Sequence, residues 1–345
     1  MPDHLTHDPK DMPNLDLLRS IAVLLVVVEH MLLAMHIVRL GYWTVDWMGV
    51  VGVFMFFVHT SLVLMWSFDR SPHTLGFYLR RFFRIYPLSV VVLVVTVAAR
   101  IPTMQNTLGD TYFQTGGASN VISNLLLVQN LVKPGNILGV MWTLPLEVDM
   151  YFLLPFVYFF LRKNFSVWPI FALWLFAVLY DRGTFADDTS TFAVCIPYFL
   201  PGIMAWVLFA QVRPRLPAFL MPCLVAALLF GFMIQPTWRH GWLLALALGV
   251  TLPLFHQIRG RWLIRGSHSL AQYSYGIYLI HPFSIALGVN LLHGFSLAIR
   301  ISAIVCSLAA LVFVLHHTVE KPMMKLGARL ARKIEHRQEL AHATN

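Results

Sequence analysis

A succession of long apolar runs leaves this chain little choice of fold. Stretches of the length that crosses a bilayer, about 17 to 25 residues, fall near 15–38, 45–68, 82–100, 143–161, 166–181, 190–210, 216–234, 241–257, 269–291 and 295–318. A bilayer core offers no water to backbone N–H and C=O groups, so runs of this length satisfy them internally, as helices. The expected fold is all-α: a polytopic membrane helical bundle of about ten transmembrane helices. Composition agrees, because the chain is 58% hydrophobic and 12% charged with a mean hydropathy of +0.69, outside the range of soluble domains.

Basic residues orient the bundle. Arg70, Arg80, Arg81 and Arg84 follow the second run, Arg162 and Lys163 the fourth, and Arg213 and Arg215 the sixth. Arg259, Arg261 and Arg265 follow the eighth, and Lys321, Lys325, Arg329, Arg332, Lys333 and Arg337 the tenth. Every even-numbered exit is basic, which the positive-inside rule satisfies with both termini cytoplasmic. The expected organisation is a cytoplasmic tail at 1–14, a transmembrane domain at 15–318 and a basic cytoplasmic tail at 319–345. The net charge of +9 is then accounted for by anionic lipid, and a nucleic-acid partner is excluded for want of a long soluble domain.

The long external loop 101–142 carries a short apolar segment at 119–131, too short to span and expected to be interfacial or re-entrant. No cleavable signal peptide is expected, since the first apolar run contains Glu29 and His30 and has no small-residue cleavage site after it. Only 27 residues follow the last run, so no appended soluble domain is expected. Cys195, Cys223 and Cys306 stand singly in apolar segments, with no spacing for a disulfide framework or a metal.

The charges inside the runs are the candidates for chemistry. In NLDLLRSIAVLLVVVEH, Arg19 and His30 lie eleven residues apart, hence within about 20° of one helical face and roughly 16 Å apart along the axis. Asp16 falls on the same stripe. In RRFFRIYP, Arg80 and Arg84 stack on one face with Arg81 beside them, interleaved with aromatics. Such a cluster serves either as a lipid anchor or as a pocket for a diphosphate such as that of coenzyme A. In WTLPLEVDMY, Thr143 is placed to cap a helix whose first turns carry Glu147 and Asp149, beside Trp142. His59 lies within the second run, and Tyr278 and His281 within the ninth, where Pro282 is expected to kink the helix. His36, His256, His316 and His317 lie near run ends and are expected at the interface. No grouping of histidines and carboxylates has metal-ligand spacing.

Charged residues inside spans cost roughly 2.5 to 3.5 kcal/mol each at a helix centre, so this many are expected to pair with one another around a functional site. An imidazole can take a proton from a hydroxyl while a carboxylate orients it.

These segments together resemble the acyltransferase-3 family of integral-membrane O-acyltransferases. The resemblance runs through LDLLRSIAVLLVVVEH, RRFFRIYP, WTLPLEVDMY, YSYGIYLIHP and VEKP, in order and over nearly the whole chain. It implies a transferase that meets acyl-CoA at the cytoplasmic face and passes the acyl group, acetyl first of all, to a hydroxyl of a carbohydrate or lipid-linked glycan. His30 then matches the catalytic histidine and Arg19 its partner, Arg81 and Arg84 match the donor-handling Arg-x-x-Arg pair, and Glu147 matches the acidic residue of the motif at the fourth span. On this reading Asp16 and Arg19 position the thioester, Arg80 joins the donor cluster, and Trp142, His59, His281 and Tyr278 serve the acceptor. The sequence departs from the family at GVFMFFVHTS, where Phe54 replaces a common aspartate and Thr60-Ser61 a Ser-Gly pair. The expected location is the bacterial cytoplasmic (inner) membrane, multi-pass, with no metal. A proton-coupled transporter using the same His, Glu and Arg residues is the competing reading.

Overall fold

The computed structural model describes residues 12–106, 110–132, 135–163, 165–184 and 192–343. Residues 1–11 of the N-terminal tail and Lys133-Pro134 of the long loop lie outside the described residues. Strand among the described residues is confined to two short pairs, β1 (Arg39–Leu40) with β2 (Trp43–Thr44) and β3 (Met104–Gln105) with β4 (Thr111–Tyr112). The rest is helical: α1 (Pro13–Ala34), α2 (Asp46–Arg70), α3 (Thr74–Ala99), α4 (Ala118–Leu126), α5 (Gln129–Val132), α6 (Thr143–Lys163) and α7 (Trp168–Thr184). After these come α8 (Phe192–Gln211), α9 (Leu220–Ile234), α10 (Trp238–Thr251), α11 (Arg261–Ala286), α12 (Leu297–Leu315) and α13 (Lys321–Ala343).

Six helices among the described residues are long and apolar enough to cross a membrane: Pro13–Ala34, Asp46–Arg70, Thr74–Ala99, Gly139–Lys163, Phe192–Gln211 and Leu297–Gln338. Trp168–Tyr180 and Leu220–Ile234 are shorter apolar helices. The chain is thus a helical membrane bundle.

Three differences from the sequence reading have local causes. Helix α3 begins at Thr74, eight residues before the apolar run at 82, because His73 accepts the Gly76 N–H at 3.3 Å and caps the end. Arg80, Arg81 and Arg84 therefore belong to the helix itself. Thr143 does not cap α6: a 3-10 turn, Gly139–Trp142, precedes it, and the Thr143 hydroxyl pairs with Tyr278 Oη at 2.8 Å. The segment after the last run is helical, since α12 passes through a π turn, His316–Glu320, into α13.

The chain divides into two compact units. The first comprises Met1–Trp66, Gln105–Asp110 and Phe159–Ser274. In it Pro13 starts α1, where its missing N–H costs nothing. The Asn14 amide donates to His256 O and accepts the Ile258 N–H, both at 3.0 Å, fixing that helix end. Helix α1 lies so close to α2 that a Cβ on Gly52 would fall 2.5 Å from Ala22 O. Ser61 Oγ lies 2.6 Å from Phe199 O of α8, and a Cβ on Gly202 would fall 2.1 Å from that hydroxyl. Phe54 stacks on Tyr198 at 4.1 Å and 2°, with Trp238 edge-on, so Phe54 fills an aromatic nest.

The second unit comprises Ser67–Met104, Thr111–Tyr158 and Tyr275–Asn345. Its α3 and α13 lie against each other: a Cβ on Gly327 would fall 2.6 Å from Phe83 Cβ, and Arg80 Nη1 donates to Glu335 Oε1 at 2.5 Å. In the loop, Leu127 at φ +55 ends α4 before α5. Asn124 Nδ2 donates to Gly135 O at 3.0 Å and Asn124 Oδ1 accepts the Ile137 N–H at 3.2 Å, folding the loop on itself.

Candidate active site

In the first unit, α1 presents the stripe that the sequence predicts. The Glu29 carboxylate, buried, lies against His30 Nδ1, and that nitrogen is 3.0 Å from Val26 O. With Nδ1–H donating to the carbonyl, the lone pair of the imidazole is on Nε2, and the neighbouring carboxylate favours the imidazolium that forms when Nε2 takes a proton. Two residues around His30 escaped the sequence reading of the site. Glu29 was one charge among several, and only the structure shows its carboxylate turned onto its neighbour. Gln105 donates from Nε2 to His30 O at 3.2 Å, a long-range contact with no local sequence signal.

Lower on the same stripe, Asp16 Oδ2 is 2.8 Å from His268 Nδ1. Ser20 Oγ lies 2.8 Å from Ser267 O and 2.7 Å from Asp16 O. Asp16 thus has an imidazole partner on α11 that spacing could not reveal. Arg19 is half-buried on this helix, and His59 is buried on α2.

The second unit gathers the arginines and Glu147. Arg81 Nη2 donates to Ser67 Oγ at 2.7 Å, and its guanidinium lies 5.5 Å from the Phe77 ring centroid. Arg81 is in electrostatic range of Tyr151, Arg84 and Glu147, and Tyr151 donates to Glu147 Oε1 at 2.5 Å. Arg84 Nη1 is 3.8 Å from Glu320 Oε1, and His316 Nδ1 is 2.9 Å from Glu320 Oε2. Tyr275 feels Glu147, Glu320 and Arg84 together. Two of the predicted donor arginines and the predicted Glu147 therefore share one half-buried cluster, whereas Arg80 points to Glu335.

The cluster also corrects the placement of one histidine: His316, expected at the interface, is 5% exposed. It shares a buried face of the π turn with Glu320, and the VEKP motif gives no sign of that turn. Asp149 leaves the cluster and accepts from Asn130 Nδ2 at 2.7 Å.

Two of the residues expected at the acceptor end, Tyr278 and His281, meet backbone carbonyls. Tyr278 Oη donates to Val140 O at 2.6 Å, which pins the 3-10 turn bearing Trp142. His281 is fully buried, with Nδ1 3.1 Å from Ile277 O. Among the described residues no three His, Cys, Asp or Glu side chains gather to hold a metal ion.

A membrane bundle with an imidazole backed by a carboxylate, and with arginines balanced by carboxylates, has the equipment of a membrane group-transfer enzyme. The chain belongs to the acyltransferase-3 family: the family model described as an acyltransferase domain matches residues 12–316, a range that includes His30, Arg81, Arg84 and Glu147. Acyltransferase MdmB of Streptomyces mycarofaciens is 25% identical, with 82% of each chain covered. No solved structure matches. The chain is accordingly a membrane O-acyltransferase.

Proposed function

We propose that this protein transfers an acetyl group from acetyl-CoA, met at the cytoplasmic face, to a hydroxyl of a carbohydrate or lipid-linked glycan, in the bacterial cytoplasmic membrane with both termini inside. The single observation that supports the donor assignment is the gathering of the half-buried Arg81 and Arg84 about Glu147 and Tyr151. A lipid anchor has its guanidinium turned out to the headgroups, whereas a half-buried pair of forks drawn in beside carboxylates suits a bound diphosphate.

In the reaction, His30 Nε2 takes the proton of the acceptor hydroxyl. The oxygen attacks the thioester carbonyl, the C–S bond breaks, and the CoA thiolate leaves as the proton is returned to it. Glu29 offsets the charge on the imidazolium. Arg19 and Asp16 position the thioester, and Glu147 balances Arg81 and holds Tyr151. Trp142, His59, His281 and Tyr278 belong to the acceptor end. A transporter reading has no use for the arginine cluster, and family membership favours transfer chemistry.

Glycans from a host expressing the protein, compared by mass spectrometry with those from the same host carrying the empty vector, test the reading. An acetyl increment on a sugar hydroxyl is expected. Glycans identical in the two strains, with the protein present in the membrane, contradict it.

A further inference from the structure

The π turn between α12 and α13 carries a carboxylate that the proposed reaction leaves unused. Glu320 is 1% exposed, and burying a carboxylate is unfavourable unless partners compensate it. His316 Nδ1 supplies one at 2.9 Å from Oε2. The other oxygen, Oε1, makes no hydrogen bond and faces Arg84 Nη1 at 3.8 Å. That distance is beyond a hydrogen bond but well within strong Coulomb attraction in a buried setting. The hydrogen bond of Arg84 Nη1 goes instead to Met324 Sδ at 3.3 Å, a weak acceptor.

The separation has a chemical meaning. A carboxylate engaging the guanidinium fork in two parallel hydrogen bonds would occupy the donors that a phosphate needs. Glu320 holds the charge of Arg84 in place without such a bridge. Residues 316 and 320, four apart within the π turn, share one buried face, and π turns concentrate at functional sites.

We propose that Glu320, anchored by His316, is a positioning residue that sets the Arg84 guanidinium for the diphosphate of the acyl-CoA donor. This rests on the reading of Arg84 as a donor-binding residue.

The test is the dissociation constant for acetyl-CoA, measured on the full-length detergent-solubilised protein with the melting temperature recorded alongside. Glu320→Gln keeps the shape and removes the charge. Its affinity is expected to fall about tenfold, the worth of one charge-assisted hydrogen bond. In the Arg84→Ala background the same substitution is expected to cost nothing further, because its effect passes through Arg84. His316→Gln, which loosens the carboxylate but keeps it, is expected to weaken binding by a smaller factor, and it carries the test if Glu320→Gln does not fold.

Unchanged or tighter binding in these variants would overturn the proposal, tighter binding marking Glu320 as a competitor of the phosphates. A full effect of Glu320→Gln in the Arg84→Ala background would overturn it too, as a structural role is additive. If Arg84→Ala binds acetyl-CoA as well as the unaltered protein, the donor reading itself fails, and the role of Glu320 with it. Weakened binding in Arg84→Ala beside unchanged binding in both other variants removes Glu320 alone.

Discussion

A Cβ on Gly49 would fall 2.6 Å from Glu29 Oε2, so the missing side chain on α2 leaves the Glu29 carboxylate its room beside His30. Gly49→Ala should push the end of this flexible side chain aside at little cost in stability while removing the counter-charge of His30. Acetyl transfer is expected to fall by about tenfold or more, with the melting temperature nearly unchanged. Gly52→Ala is the contrast: its methyl would meet Ala22 O at 2.5 Å, and backbone cannot swing away. A loss of about 1 to 3 kcal/mol is expected there, read as a lower melting temperature in detergent.

Arg80 and Glu335 tie α3 to α13. Arg80→Ala and Glu335→Ala should each lower the melting temperature by a similar, modest amount, on the order of 1 kcal/mol for a partly exposed pair. The double variant should lose little more than either single one. Because Arg80 is already bonded to Glu335, its removal is expected to weaken acetyl-CoA binding less than removal of Arg81 or Arg84.

Tyr278→Phe deletes the hydroxyl that donates to Val140 O and lies beside Thr143. About 1 kcal/mol of stability should go, and the turn bearing Trp142 should loosen. Tryptophan fluorescence quenching and proteolysis of the 135–142 segment would report the change, both increasing in the variant.

Much of the fold could be read from hydropathy, because a membrane helix must satisfy its backbone and hide few charges. The stripe of Asp16, Arg19 and His30 was equally legible, since helical periodicity alone places those residues. What escaped depends on pairs far apart in the chain. Asp16 meets His268 across 252 residues, and Arg80 meets Glu335 across 255. The sequence of α13, rich in Lys and Arg, reads as a solvated tail until Gly327 and Glu335 are seen against α3. The start of α3 was misplaced for a related reason, as hydropathy marks the apolar run from 82 and not the polar turns that His73 caps. The π turn has no sequence signature, and His316 consequently looked interfacial.

If His30 is the base of the proposed acetyl transfer, labelled acetyl incorporation must depend on its imidazole. Membranes from a host carrying the protein, supplied with radiolabelled acetyl-CoA, should place label in the glycan or glycolipid fraction, and His30→Ala membranes with equal protein should lose all but about one part in 10² to 10⁴ of the rate. Incorporation by His30→Ala at the rate of the unaltered protein would contradict the account.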